Sequence, residues 1–124
     1  MIYTDSDIMK SIVYKPWGSF QVIEEGEKYT LKKLTVKQDG IMSLQSHNHR
    51  FEHWVVVQGE AEVTLNNEFF TLKANEYIHI PLKTKHRIAN YKKQDLIIIE
   101  VWYGDVLDEE DIIRYEDIYD RYQL

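Results

Sequence analysis

Between Gln45 and Trp54 the chain reads Gln-Ser-His-Asn-His-Arg-Phe-Glu-His-Trp, which sets three of its five histidines beside a carboxylate. Imidazole nitrogen with carboxylate oxygen suits Zn, Mn, Ni, Co or Fe rather than Ca or Mg. With no cysteine in the chain, a thiolate site is excluded. On an extended strand, residues two apart share a face, so Gln45, His47 and His49 would point one way, His47 and His49 about 6.5 Å apart along the strand. A break at Arg50-Phe51 then lets Glu52 lie opposite, with Trp54 and Val56 on its side and His53 turned away. One hairpin covers only one side of an ion, so a further ligand must come from elsewhere. His86, opening a strand after Pro81-Leu82-Lys83-Thr84-Lys85, is the preferred candidate over His79. The expected metal ligands are His47, His49, Glu52 and His86, with Gln45 able to replace one of them.

These residues need a rigid frame of strands. Segments 20–23, 29–37, 41–49, 52–57, 61–65, 68–72, 77–80, 86–89 and 96–102 are rich in β-branched and aromatic residues and are separated by turn residues. Asn66-Asn67 suits the positive φ of a two-residue hairpin link. Short strands at this spacing predict an all-β barrel or sandwich. After Gly104 a short helical tail is expected, with Asp108 as N-cap and a second helical stretch near 116–121. The run from Asp105 to Asp111, five carboxylates and no base, reads as a solvated loop or first helical turn.

No repeat or Pro/Gly-rich linker divides the 124 residues, so a single domain over 1–124 is expected, its core about 14–121. Fifteen basic against 21 acidic residues leave a net charge of −6, which argues against a nucleic-acid surface. No apolar run is long enough to span a membrane. The first residues are polar and acidic where a signal peptide would be basic and then apolar, so a cytoplasmic protein is the expectation. Sheet edges and the apolar spots of residues 8–13 suggest a homodimer.

The stretch from Gly40 to Gly59, with its His-x-His pair, its Glu and six residues to the closing Gly, resembles the first cupin motif. Asn75, Pro81, His86 and Asn90 resemble the second, with Asn75 and Lys83 standing where that motif has glycines. Asn tolerates positive φ, whereas Lys83 suggests a different turn. Tyr14-Lys15-Pro16-Trp17-Gly18-Ser19-Phe20, the stretch from Ser43 to Trp54 and Asp111-Ile112-Ile113-Arg114-Tyr115-Glu116-Asp117 narrow the likeness. Together they resemble type II mannose-6-phosphate isomerase, the C-terminal cupin of bifunctional isomerase/guanylyltransferases.

That resemblance implies a cupin double-stranded β-helix, a jelly-roll barrel, without the nucleotidyltransferase half. It also implies a metal-dependent aldose–ketose isomerase acting on a small phosphorylated sugar, interconverting mannose 6-phosphate and fructose 6-phosphate through a cis-enediol. The base would be Glu100 or water activated by the metal. Arg50, Arg87 and Lys32 or Lys33 are the candidates for phosphate, with Gln45 also facing substrate and Arg50 doubling as a catalytic group. Arg114 would pack the tail down, and Trp17 and Trp54 would fill the barrel. Competing readings are a metal-containing sugar-binding module without turnover, a cupin dioxygenase, and a nucleotide-sugar epimerase, which usually needs a His–Asp base pair.

Overall fold

Inward positions alternate with outward ones along the strands, and that period of two builds the architecture. The computed structural model describes residues 12–119. Eleven strands form among them, in two antiparallel sheets. The first sheet runs β1 (Ile12–Lys15), β2 (Gly18–Glu25), β3 (Tyr29–Val36), β10 (Leu96–Gly104), β5 (Arg50–Gln58) and β8 (Tyr77–Ile80). The second runs β11 (Ile113–Glu116), β4 (Leu44–Ser46), β9 (His86–Ala89), β6 (Glu60–Leu65) and β7 (Glu68–Lys73). The architecture is the double-stranded β-helix that the sequence led us to expect.

The inward face of β3 is Thr30, Lys32, Leu34 and Val36, every second residue buried. Its neighbour β10 buries Leu96, Ile98, Glu100 and Trp102, paired in register with Val36, Leu34, Lys32 and Thr30. On the other side of β10, β5 buries Val56, Trp54, Glu52 and Arg50. Leu34, Val36, Val56, Leu96 and Ile98 join Trp17, Trp54, Ala61, Val63, Ile80 and Ile88 in one apolar core. Toward the other end of the same strands the inward residues become charged. The core thus ends where a polar pocket begins, and the strands that stabilise one also position the other.

The tail departs from expectation. No helix forms after Gly104 among the described residues; Ile113–Glu116 is a strand that pairs with β4. Asp108 accepts the Glu110 amide through Oδ1 at 2.9 Å, closing a turn rather than capping a helix. The tail turns back because Ile112 lines the barrel mouth and β4 offers it an open edge. The proposed second helix near 116–121 is replaced by strand and turn up to Tyr119, and residues 120–121 lie outside the described residues, as do residues 8–11.

The predicted strand over 41–49 shrinks to Leu44–Ser46. Asn75 and Lys83, which stand at the glycine positions of the motif, adopt φ of 75° and 59°. Lys83 therefore keeps the left-handed turn instead of changing it, at a cost of about 1 kcal/mol for a residue with a Cβ. Its amide donates to the His47 carbonyl at 2.8 Å, so the turn it makes is tied to the end of β4. Asn66 in the β6–β7 hairpin also has positive φ, 53°.

Candidate metal centre and anion pocket

β4 delivers His47 just past its last residue, β5 delivers Glu52, and β9 opens with His86. These three buried residues bring one ligand atom each to within 4.8 Å of the others. His47 Nε2 lies 2.8 Å from Glu52 Oε2 and 3.2 Å from His86 Nε2, and His86 Nε2 lies 3.8 Å from Glu52 Oε2. Ligands about 2.1 Å from a shared ion would be spaced roughly 3.0–3.4 Å apart, close to these separations.

The outer partners decide what the cluster can hold. His47 Nδ1 is 2.6 Å from the Asp111 carbonyl and His86 Nδ1 is 2.8 Å from the Thr84 carbonyl. A carbonyl can only accept, so both Nδ1 atoms carry the proton and donate. In the neutral rings each Nε2 then presents a lone pair to the interior, facing the other and a carboxylate oxygen. Three convergent lone pairs call for a cation among them, and histidine ligands are ordinarily fixed by such hydrogen bonds on the far nitrogen. Glu52 is oriented in the same manner: Trp54 Nε1 donates to Oε1 at 3.0 Å, leaving Oε2 for the cluster. The residues present therefore fit a divalent metal ion.

Burial alone would push the Glu52 carboxyl up. The Arg50 guanidinium and the imidazoles of His47 and His86 around it more than offset this, and the group is held well below the usual range. Burial lowers His86 despite the opposing pull of Glu52, keeping the ring neutral and able to coordinate. Glu100 goes the other way. Burial raises it well above the ordinary carboxyl value, helped by the charge of Glu52 and a hydrogen bond with it, against the pull of Lys32 and Arg50. Trp102 Nε1 donates to Glu100 Oε1 at 2.6 Å. Two carboxyl groups side by side, one ionised and one holding its proton, are a pattern suited to acid–base work.

His49 is not brought to this cluster. It sits exposed in the bend after β4, where its amide and that of Asn48 each donate to the Asp111 carboxylate at 3.0 Å. The two-residue alternation that aligned it with His47 requires a strand, and the strand ends at Ser46. Gln45 does line the pocket, as the cross-strand partner of His86, with its amide nitrogen donating to Ser43 Oγ at 3.1 Å. His79 faces outward on β8 and stacks on His53, 4.5 Å between ring centroids.

The cluster opens into a pocket of about 690 Å³, counting the space at its mouth. Five cationic side chains line it, from Lys15, Lys32, Arg50, Arg87 and Arg114, against the carboxyl groups of Glu52, Glu100 and Glu109. Arg50 is buried. Its Nε donates to Glu52 Oε2 at 3.1 Å, its Nη2 lies 3.2 Å from His47 Nε2, and its guanidinium carbon sits 3.4 Å from the Trp102 ring centre. Arg87 donates to the Met42 carbonyl and to Glu116. Lys33 belongs to the outward face of β3, so the lysine that reaches the pocket is Lys32.

The acidic run is the part sequence reasoning undervalued. Asp111 ties down both the His47 ring and the bend after β4, the Asp108 carbonyl accepts from Arg50 Nη1 at 3.3 Å, and Glu109 pairs with Lys32. A lone cluster of acids reads as solvated, and no local pattern announces a partner 58 or more residues away.

A family model described as "Mannose-6-phosphate isomerase C-terminal" matches residues 4–117. Among curated proteins, the "Mannose-1-phosphate guanylyltransferase ManC" of Salmonella typhimurium is 49% identical over 109 residues, 88% of this chain and 23% of that protein. The "Xanthan biosynthesis protein XanB" of Xanthomonas campestris is 47% identical over the same shares. The chain thus spans about a quarter of the length of these relatives. Among solved structures, the cupin domain of Cnp3 from Schizosaccharomyces pombe superposes with a TM-score of 0.70 at 17% identity, over 78% of this chain and 72% of that one. That likeness shows a cupin fold.

Proposed function

Since the chain belongs to the mannose-6-phosphate isomerase C-terminal family, we propose that it interconverts mannose 6-phosphate and fructose 6-phosphate as a metal-dependent aldose–ketose isomerase. One observation carries this reading: the His47, Glu52 and His86 cluster and the buried Glu100 carboxyl open into one pocket walled by cationic side chains. A neutral sugar would not need that wall, whereas a dianionic phosphate would.

The reaction moves a proton between C1 and C2 and builds negative charge on the oxygens of a cis-enediolate. A divalent ion held by His47, Glu52 and His86 would supply the Lewis acid that polarises the carbonyl and offsets this charge. Gln45 is the proposed fourth ligand, through its amide oxygen. Glu100 is the proposed acid–base group, because burial raises its carboxyl well above the ordinary value and so lets it hold a proton that it can also release. Trp102 fixes its orientation through Oε1. Arg50 braces Glu52 and His47 and adds positive charge where the enediolate develops. Arg87 is proposed at the sugar-phosphate side of the pocket.

The test is a coupled isomerase assay on the purified protein, with chelator and then with each divalent metal restored. Turnover that disappears with chelation and returns with metal is the expected result. A mannose 6-phosphate thermal shift without turnover under any metal would instead mark a binding module.

A further inference from the structure

Along one wall of the pocket, cations and rings alternate. Lys15 Nζ lies 5.9 Å from the Phe20 ring centre, and Lys32 Nζ lies 4.4 Å from Phe20 and 3.4 Å from Trp102, whose ring also carries Arg50 at 3.4 Å. Lys32 is the deepest amine of this row. Its side chain is only 4% exposed, and it makes a 2.6 Å ion pair with Glu109 Oε1. The partner is of another kind: the Glu109 side chain, which also lines the pocket, is 63% exposed.

The pairing has an uneven cost of separation. A buried amine stripped of its counter-charge is expensive, so Lys32 must always hold an anion. Glu109 can swing into water at little cost, and the loop need not move with it, since Asp108 and Asp111 on either side make their own bonds to Arg50, Asn48, His49 and His47. Two of the pocket's arginines are held more firmly: Arg50 by Glu52, His47 and Asp108, and Arg87 by the backbone carbonyls of Met42 and Glu116 as well as by the exposed Glu116 carboxylate.

We propose that Lys32 is the anchor for the substrate's phosphate and that the Glu109 carboxylate is a tethered stand-in for it. The incoming phosphate displaces Glu109 from Lys32, and Glu109 returns when product leaves. The proposal builds on the sugar-phosphate reading above and names its anion subsite. Glu109 then sets affinity rather than chemistry: it keeps Lys32 neutralised between turnovers and makes every phosphate compete with a carboxylate already in place.

Calorimetric titration with inorganic phosphate tests this on the intact protein, with and without added divalent ion, so that phosphate held by the metal is separated from phosphate held by Lys32. Glu109→Gln is expected to tighten the phosphate Kd by about fivefold, the scale of a competing ion pair with one exposed partner. Lys32→Met is expected to weaken it by about tenfold or more, as loss of a charge-assisted contact does. In the Lys32→Met background, Glu109→Gln should have no further effect, because the two act through one contact. An unchanged phosphate Kd in Glu109→Gln, whose exposed side chain leaves folding unaffected, would overturn the proposal, as would simple additivity of the two substitutions. Isomerase turnover is read separately: if it is absent while the phosphate pattern holds, the isomerase reading fails and the Lys32 anion site stands.

Discussion

The strands β3, β5 and β10 contribute to the interior of the barrel twice, and the two contributions differ in kind. At one end they bury Val36, Leu34, Val56, Leu96 and Ile98. At the other, on the same faces and in the same register, they bury Lys32, Glu52, Arg50 and Glu100. Depth is the same; the means of stabilisation is not. Apolar side chains stabilise by leaving water and packing closely, without a specific partner. Polar and charged groups at the same depth persist only because each has a named partner: Glu52 with Arg50 and His47, Lys32 with Glu109, and the protonated Glu100 with Trp102. The apolar end carries the fold, and the charged end spends part of that stability on a site.

The difference can be broken in order of effect. The largest is expected at the ligands: His47→Ala or Glu52→Ala should abolish bound metal and lower turnover by roughly a thousandfold, given what a Lewis acid contributes. Metal analysis beside the coupled assay reads it; wild-type metal content in either variant would remove that residue from the ligand set. At the apolar end, Ile98→Ala should cost about 3 kcal/mol in urea unfolding while metal per folded molecule stays at its wild-type level. If metal falls in step with stability, the two ends are not separable.

Glu100→Gln probes the boundary. In the native protein Glu100 keeps a proton above the ordinary carboxyl value of 4.5, a proton that the unfolded chain releases there. The Glu100 contribution to stability therefore declines as pH rises from that value toward the raised native one, and the glutamine variant lacks this contribution. In chelated protein, Glu100→Gln should be the more stable of the two at pH 7, with the gap closing below 4.5, while its turnover drops in the metal-loaded form. Equal pH dependence in the two proteins would show Glu100 to be ionised in the fold. The smallest effect is Lys83→Gly, expected to stabilise by up to about 1 kcal/mol by relieving positive φ. Thermal unfolding checks it, and a loss of stability would mean that the lysine side chain makes up for its backbone.

The sequence made the barrel legible because alternation and turn residues are local signals. The hairpin at Asn66 and the inward set Glu52, Trp54 and Val56 follow directly from them. Lys32 escaped the pattern. The residues Leu31 and Leu34 have opposite parity, and an apolar reading of β3 does not choose to bury a lysine. His49 was misplaced because alternation was carried past the point where the strand ends. Strand β11 was hidden for a related reason: an acidic run before it suggests a helix start, while its pairing with β4 is a contact between residues about 70 apart. Local chemistry named the candidate ligands, and chain closure decided which of them meet.

Trp102 has a practical consequence. Its indole leans on Lys32, on Arg50 and on the Glu100 carboxyl, so it senses charge at the anion subsite and at the metal cluster together. The protein therefore carries its own unlabelled fluorophore between the candidate metal cluster and the proposed anion subsite. Emission recorded during separate additions of metal and of phosphate would tell which arrives first and whether one alters the other.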